Sequence, residues 1–146
     1  MDNLKWCAKQ SKGIRLIEPN LLIANDYFKK ADDSLVMIST TESKVWKCVG
    51  AYYACYEALY ALLQKAGVKC EIHDCTIKLM PFFNFTEDEV SLIEFLKNQR
   101  INAQYYVDRD YSLAEIEKVK KFILSCKYKF DDLNFSEIRN KIQNSI

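Results

Sequence analysis

The sequence predicts an all-α protein, an up-and-down bundle of four to five helices with a short extra helix near residues 74–80. Three observations carry this expectation. Glycine and proline are scarce, at Gly13, Gly50, Gly67, Pro19 and Pro81 only, whereas a sandwich or barrel spends such residues at every turn. Apolar side chains recur at spacings of three and four through several long segments, the period of a helix face. Two of those segments open on Ser or Thr with Glu three residues later, the pattern of a capping box.

Taken in order, Leu4 to Ser11 reads as a short amphipathic turn. The first long helix is expected to begin near Pro19, whose fixed φ suits a first helical position. Its stripe is Leu21, Ala24, Phe28, Ala31, Leu35 and Ile38. The polar run 39–43 ends it and starts the next.

The second long helix, about Ser43 to Ala66, carries two stripes. Val45, Val49, Tyr52, Tyr56, Leu59 and Leu63 form one; the smaller side chains Cys48, Ala51, Cys55, Ala58 and Leu62 form the other. A helix apolar on two sides belongs at the centre of its bundle, and small side chains let a neighbour approach closely. Gly67 supplies the stop.

Residues 68–85 form a connection with a short helix around Asp74 to Met80, ended by Pro81. A third helix starts at Thr86 with Glu89 three residues on and runs to about Val107. A fourth starts at Ser112 with Glu115 repeating the pattern, along Leu113, Ile116, Val119, Ile123, Cys126 and Phe130. A weaker last helix spans Ser136 to Gln143.

The length of 146 residues favours one domain over 1–146. With 21 basic and 20 acidic side chains, no domain-wide positive field points to nucleic acid. The basic residues of the last third, among them Lys118, Lys120, Lys121, Arg139 and Lys141, read as a solvated helix face. No leader-like or membrane-length apolar stretch is visible, so a cytoplasmic protein with six free thiols is expected.

The residue that singles itself out is Arg100. Leu92, Leu96, Arg100, Ala103 and Val107 share one helix face, and a guanidinium on an apolar stripe must be paired or line a cleft. Glu57 is the natural counterpart, as the only formal charge between Lys47 and Lys65. Two readings stand: a structural Arg100–Glu57 ion pair, or an arginine that binds an anion such as phosphate. Tyr105 and Tyr106 follow on the same helix and could stack on a nucleobase. Tyr52, Tyr53, Tyr56 and Tyr60 read as core with hydroxyls at the rim. His73, the only histidine, or its neighbour Asp74 is expected to cap the short helix. Cys70, His73 and Cys75 fall short of a four-ligand zinc pattern, so no metal or other cofactor is expected.

Ala51-Tyr52-Tyr53-Ala54, Ala61-Leu62-Leu63 with Gly67, His73 followed by Thr76-Ile77-x-Leu79, and Arg100-x-x-Ala103-x-Tyr105 occur in that order; Tyr27 and Ala31 are less specific. In order and spacing this set, covering about Leu4 to Phe130, resembles the HEPN family of small helical domains. The resemblance implies a bundle of four or five helices that often forms a homodimer. It also implies a minimal nucleotidyltransferase as partner in a toxin–antitoxin pair. Many members are metal-independent ribonucleases that use Arg-x4–6-His, with a polar residue after the arginine and a site composed across the dimer. Arg100 matches, Ile101 stands in place of the polar residue, and Tyr105 and Tyr106 stand where histidine would be. Arg139-Asn140 is similar to the same motif but has no histidine downstream. Tyrosine, with a pKa near 10, is a poor base at neutral pH. The expectation is therefore a non-catalytic module holding a nucleotide, an RNA or a nucleotidyltransferase, with Tyr105 or Tyr106 as the tyrosine such a partner would adenylylate. A ribonuclease with a degenerate motif and a structural dimerisation adaptor are the alternatives.

Overall fold

The computed structural model describes residues 2–146, with side chains from Leu4 onward; Met1, where the expected domain begins, lies outside them. Among the described residues there are seven α-helices: α1 Asp2–Lys9, α2 Leu21–Thr40, α3 Lys44–Ala66, α4 His73–Lys78, α5 Glu87–Tyr105, α6 Ile116–Asp132 and α7 Phe135–Ser145. A 3-10 turn, Met80–Phe83, follows α4. Strands β1, Arg15–Leu16, and β2, Val68–Lys69, pair antiparallel, Arg15 opposite Lys69.

Helix α3 is the axis, as its two apolar stripes require: Tyr52, Leu59, Leu62 and Leu63 are wholly buried. Helices α2, α5 and α6 pack around it. Their directions follow from specific contacts. Ile38 meets Gly50, Ser34 bonds Glu57 and Tyr27 packs on Tyr60, so α2 runs antiparallel to α3. Ser112 reaches Cys48 and Phe130 reaches Lys65, so α6 runs parallel to α3. Gln99 bonds Ser112 while Glu89 bonds Ser125, so α5 runs antiparallel to α6. The result is the expected all-α, up-and-down arrangement of four long helices, with α1, α4 and α7 added at its sides.

Local signals explain several helix ends. The capping box at Thr86 forms: its hydroxyl accepts from Glu89 N–H at 3.1 Å, and its N–H donates to the Glu89 carboxylate at 3.0 Å. Thr86→Ala is expected to lower the unfolding free energy by about 1 kcal/mol, readable by urea denaturation. Gly67 ends α3 in the left-handed region at φ 73°.

Several boundaries differ from the sequence expectation. Helix α2 starts one residue past Asn20, which caps it through Ile23 N–H, so Pro19 lies outside the helix. Helix α4 ends at Lys78, and Pro81 sits inside the 3-10 turn, where a missing N–H costs nothing. Helix α5 ends at Tyr105, leaving Val107 in the following loop. Ser112 caps nothing: its N–H goes to Gln99 Oε1 at 2.7 Å and helix α6 starts later, at Ile116, so Leu113 is left exposed.

The expectation of six free thiols is corrected. Cys7 and Cys75 form a disulfide joining α1 to α4, with their Cα atoms 5.9 Å apart; Cys48, Cys55, Cys70 and Cys126 are free and buried. Expected compartment says nothing about proximity, and proximity arises here from a backbone seam. Ile17 N–H bonds Gly67 O, Glu71 N–H bonds Lys12 O, and the β1–β2 ladder lies between them. That seam draws the segment after α1 along the segment before α4. No helix of the described residues is long and apolar enough to cross a membrane.

Candidate functional site at Arg100

Helix α5 buries Ile93, Leu96, Arg100 and Ala103, a three–four–three spacing that brings the guanidinium against α3. Arg100 is 9% exposed. Its Nη1 donates to the Tyr53 hydroxyl at 3.1 Å. Its Cζ lies 5.0, 5.4 and 5.7 Å from the ring centroids of Tyr52, Tyr53 and Tyr105. Three rings at that range attract the cation. They do not saturate it: Nε is buried with no hydrogen-bond partner among the described residues. No carboxylate there lies within ion-pair distance of Arg100 either.

The expected Arg100–Glu57 pair is therefore corrected. Glu57 sits one turn beyond Tyr53 on α3, level with α2, and accepts a hydrogen bond from Ser34 at 3.1 Å. Burial pushes its carboxyl upward, opposed by the Ser34 bond and Lys30. Tyr106 is also outside the cluster: it lies past the end of α5, where Arg109 stacks on it with Cζ 3.4 Å from the ring centroid. Tyr105 remains at the cluster's exposed edge.

His73 and Asp74 are not caps. The N-cap position of α4 is Ile72, with no side-chain bond. Asp74 instead pairs with Lys97 of α5. His73 stacks on Tyr56, centroids 4.1 Å apart, and its Nδ1 lies 2.7 Å from the Tyr52 hydroxyl. Burial lowers the His73 pKa from 6.5, and the Arg100 and Lys97 charges lower it further, against a smaller pull from Asp74. Burial raises the Tyr52 pKa, more than Arg100 lowers it. The Tyr52 hydroxyl thus keeps its proton, and the arrangement that satisfies both groups is donation of that proton to Nδ1 with the hydrogen of the neutral imidazole on Nε2. Because the folded-state pKa is depressed, His73 contributes stability in full above pH 6.5 and loses it as pH falls through the lower folded value.

The site is thus Arg100 and Tyr105 from α5, Tyr52 and Tyr53 from α3, and His73 from α4. Sequence reasoning placed Tyr52 and Tyr53 in the core and missed their second role. Adjacent aromatics on the central helix at the level of a stranded arginine were the available signal. Cys75 is consumed by the disulfide and His73 Nδ1 by Tyr52, and among the described residues no group of three His, Cys, Asp or Glu side chains is placed to hold a metal. A groove of about 640 Å³ lies elsewhere, between α5 and the start of α6, lined by Leu92, Phe95, Leu113 and Phe122 among others. Chemically, the Arg100 cluster offers an unused cationic donor in a low-dielectric aromatic setting, which suits a small anion. The sequence matches no protein-family model, and it matches no curated protein.

Proposed function

We propose that the chain is a HEPN-like, non-catalytic module that binds the phosphate of a nucleotide or RNA through Arg100. The family resemblance brings with it a homodimer and a minimal nucleotidyltransferase partner in a toxin–antitoxin pair. The observation that carries the binding reading is the buried guanidinium with an unpartnered Nε and no carboxylate to neutralise it. An unpaired buried charge is costly, so such an arginine is poised for an arriving anion.

A ribonuclease is the less supported reading, although His73 puts an imidazole beside Arg100. A general base needs a free lone pair. On His73, Nδ1 is engaged by the Tyr52 hydroxyl 2.7 Å away, so it is not free to take a proton from a substrate hydroxyl while that contact holds. Metal-free incubation with short RNAs is expected to give no cleavage; cleavage lost in His73→Ala would reinstate the enzyme. For binding, nucleoside monophosphates and short RNAs are titrated against wild type and Arg100→Ala. Loss of a charged contact worth about 1.5–3 kcal/mol weakens affinity roughly 10- to 150-fold. Equal affinity in the two proteins would remove the site.

A further inference from the structure

We propose that Arg100, His73 and Tyr52 form a proton-coupled site for a terminal phosphomonoester dianion: His73 takes a proton from solvent as the dianion enters, and the Tyr52 hydroxyl turns from His73 to the dianion. The inference rests on the anion reading of Arg100 and adds the ligand's charge state and its proton.

The argument starts from one hydrogen bond. Tyr52 is wholly buried and its hydroxyl has His73 Nδ1 as partner, 2.7 Å away. A neutral imidazole accepts the hydroxyl's single proton there, and both atoms are satisfied. A protonated imidazole carries hydrogen on both nitrogens, so Nδ1 must donate to the Tyr52 oxygen instead. The Tyr52 proton is then left without an acceptor in a buried setting, a costly state. An anion drawn to the Arg100 guanidinium, whose Cζ is 5.0 Å from the Tyr52 ring centroid, supplies that acceptor. Burial is the main reason His73 stays neutral, and the same anion offsets the positive charge of Arg100 that adds to it. Protonation and binding therefore favour each other, and the coupling is reciprocal.

The charged and titratable groups around His73 fit this account. From α3 come Tyr52, Tyr53 and Tyr56, whose rings contact the imidazole. From α5 come Arg100 and Lys97, and from α4 itself Asp74, which Lys97 pairs at the rim. Helix α1 meets α4 through Cys7, which is held in the disulfide and does not titrate. With Lys97 matched by Asp74, the unmatched charge is that of Arg100, and it doubles when His73 protonates. Two adjacent positive charges match a dianion better than the single charge of a phosphodiester. Burial argues the same way: Arg100 is 9% exposed, and a terminal phosphoryl group has one free end to present to it, while a bridging phosphate is flanked by substituents on both sides.

Because His73 is the only histidine, its imidazole proton resonances report its titration without assignment. The titration midpoint is measured in the full-length protein alone and with methyl phosphate, dimethyl phosphate or sulfate, the last a dianion throughout pH 5–8. Methyl phosphate and sulfate are expected to raise the midpoint by about one pH unit, which corresponds to sulfate binding about tenfold tighter with His73 protonated than neutral. Dimethyl phosphate is expected to raise it by much less. Tyr52→Phe should bind sulfate with a weaker dependence on pH than wild type, and Arg100→Ala should abolish the midpoint shift. Binding of methyl phosphate that leaves the midpoint unmoved overturns the proton coupling while the anion site stands. An equal shift with dimethyl phosphate overturns the monoester preference. No binding of any probe at pH 5.5 or 7.5 overturns this inference and the anion site together.

Discussion

Cys7→Ala/Cys75→Ala is expected to unfold about 4 kcal/mol more easily than the oxidised protein. The bridge closes a loop between residues 68 apart in sequence, and removing that constraint restores roughly this much entropy to the unfolded chain. Alanine is the cleaner replacement, because both cysteines are wholly buried and serine would add an unpartnered hydroxyl. Urea unfolding of the oxidised wild type, the dithiothreitol-reduced wild type and the double variant makes the test. The last two should share a lowered midpoint, and their denaturant slope should rise as the unfolded chain becomes less compact. Coincident curves for all three, or six titratable thiols in the unreduced protein after denaturation, would remove the disulfide. The consequence reaches the site. Helix α4 has six residues, too few to be stable alone, and it presents His73 to Tyr52. Its position rests on Cys75 and on Thr76, whose hydroxyl bonds Tyr56 at 3.1 Å and Cys70 O at 3.4 Å.

How much of this was legible depended on the range of the interaction. The four long helices, the stop at Gly67 and the Thr86 capping box are local or periodic features, and pattern reveals them. Arg100 was legible as an anomaly for the same reason, a charge on an apolar stripe. Its partners were not, because neighbours across a bundle depend on axial level as well as face. Glu57 has a suitable charge and lies one turn too far along α3. His73 could have been placed by reach: five extended residues, 68–72, span about 16 Å, the rise of about eleven helical residues. Counted back along α3 from Gly67, that reaches Tyr56, on which His73 stacks. The Cys7–Cys75 pair was beyond such reasoning, since it depends on the seam between residues 12–17 and 67–71 and on no local signal. The start of α6 was misread because Gln99, thirteen residues away, takes the N–H that a helix start at Ser112 would have used.

The second large effect is expected at Arg139, which the sequence placed on a solvated helix face and in a motif without its histidine; the structure corrects the first reading, since the side chain is half-buried and bonded to backbone. Its Nη1 donates to three carbonyls, Ile17 at 2.7 Å, Ala66 at 3.2 Å and Gly67 at 2.6 Å. Those oxygens lie at the C-terminal end of α3 and on the strand-side segment that folds back along it, so one cation serves a helix terminus and its dipole together. Helix α7 positions the guanidinium by burying Phe135, Ile138 and Ile142. Arg139→Ala leaves those carbonyls short of a donor and is expected to cost about 3 kcal/mol, while Arg139→Met keeps the packed stem and loses nearly as much. Gly67 is part of the same unit. Its φ of 73° disfavours any side chain, and an added Cβ would overlap Arg139 Nη1 and Ile17 O. Gly67→Ala should therefore displace the guanidinium that Arg139→Ala removes, and the double variant should lose less than the two single losses combined. Additive losses would place the glycine's cost in backbone strain alone. An Arg139→Ala protein within about 0.5 kcal/mol of wild type would leave this arginine free for a role at the surface.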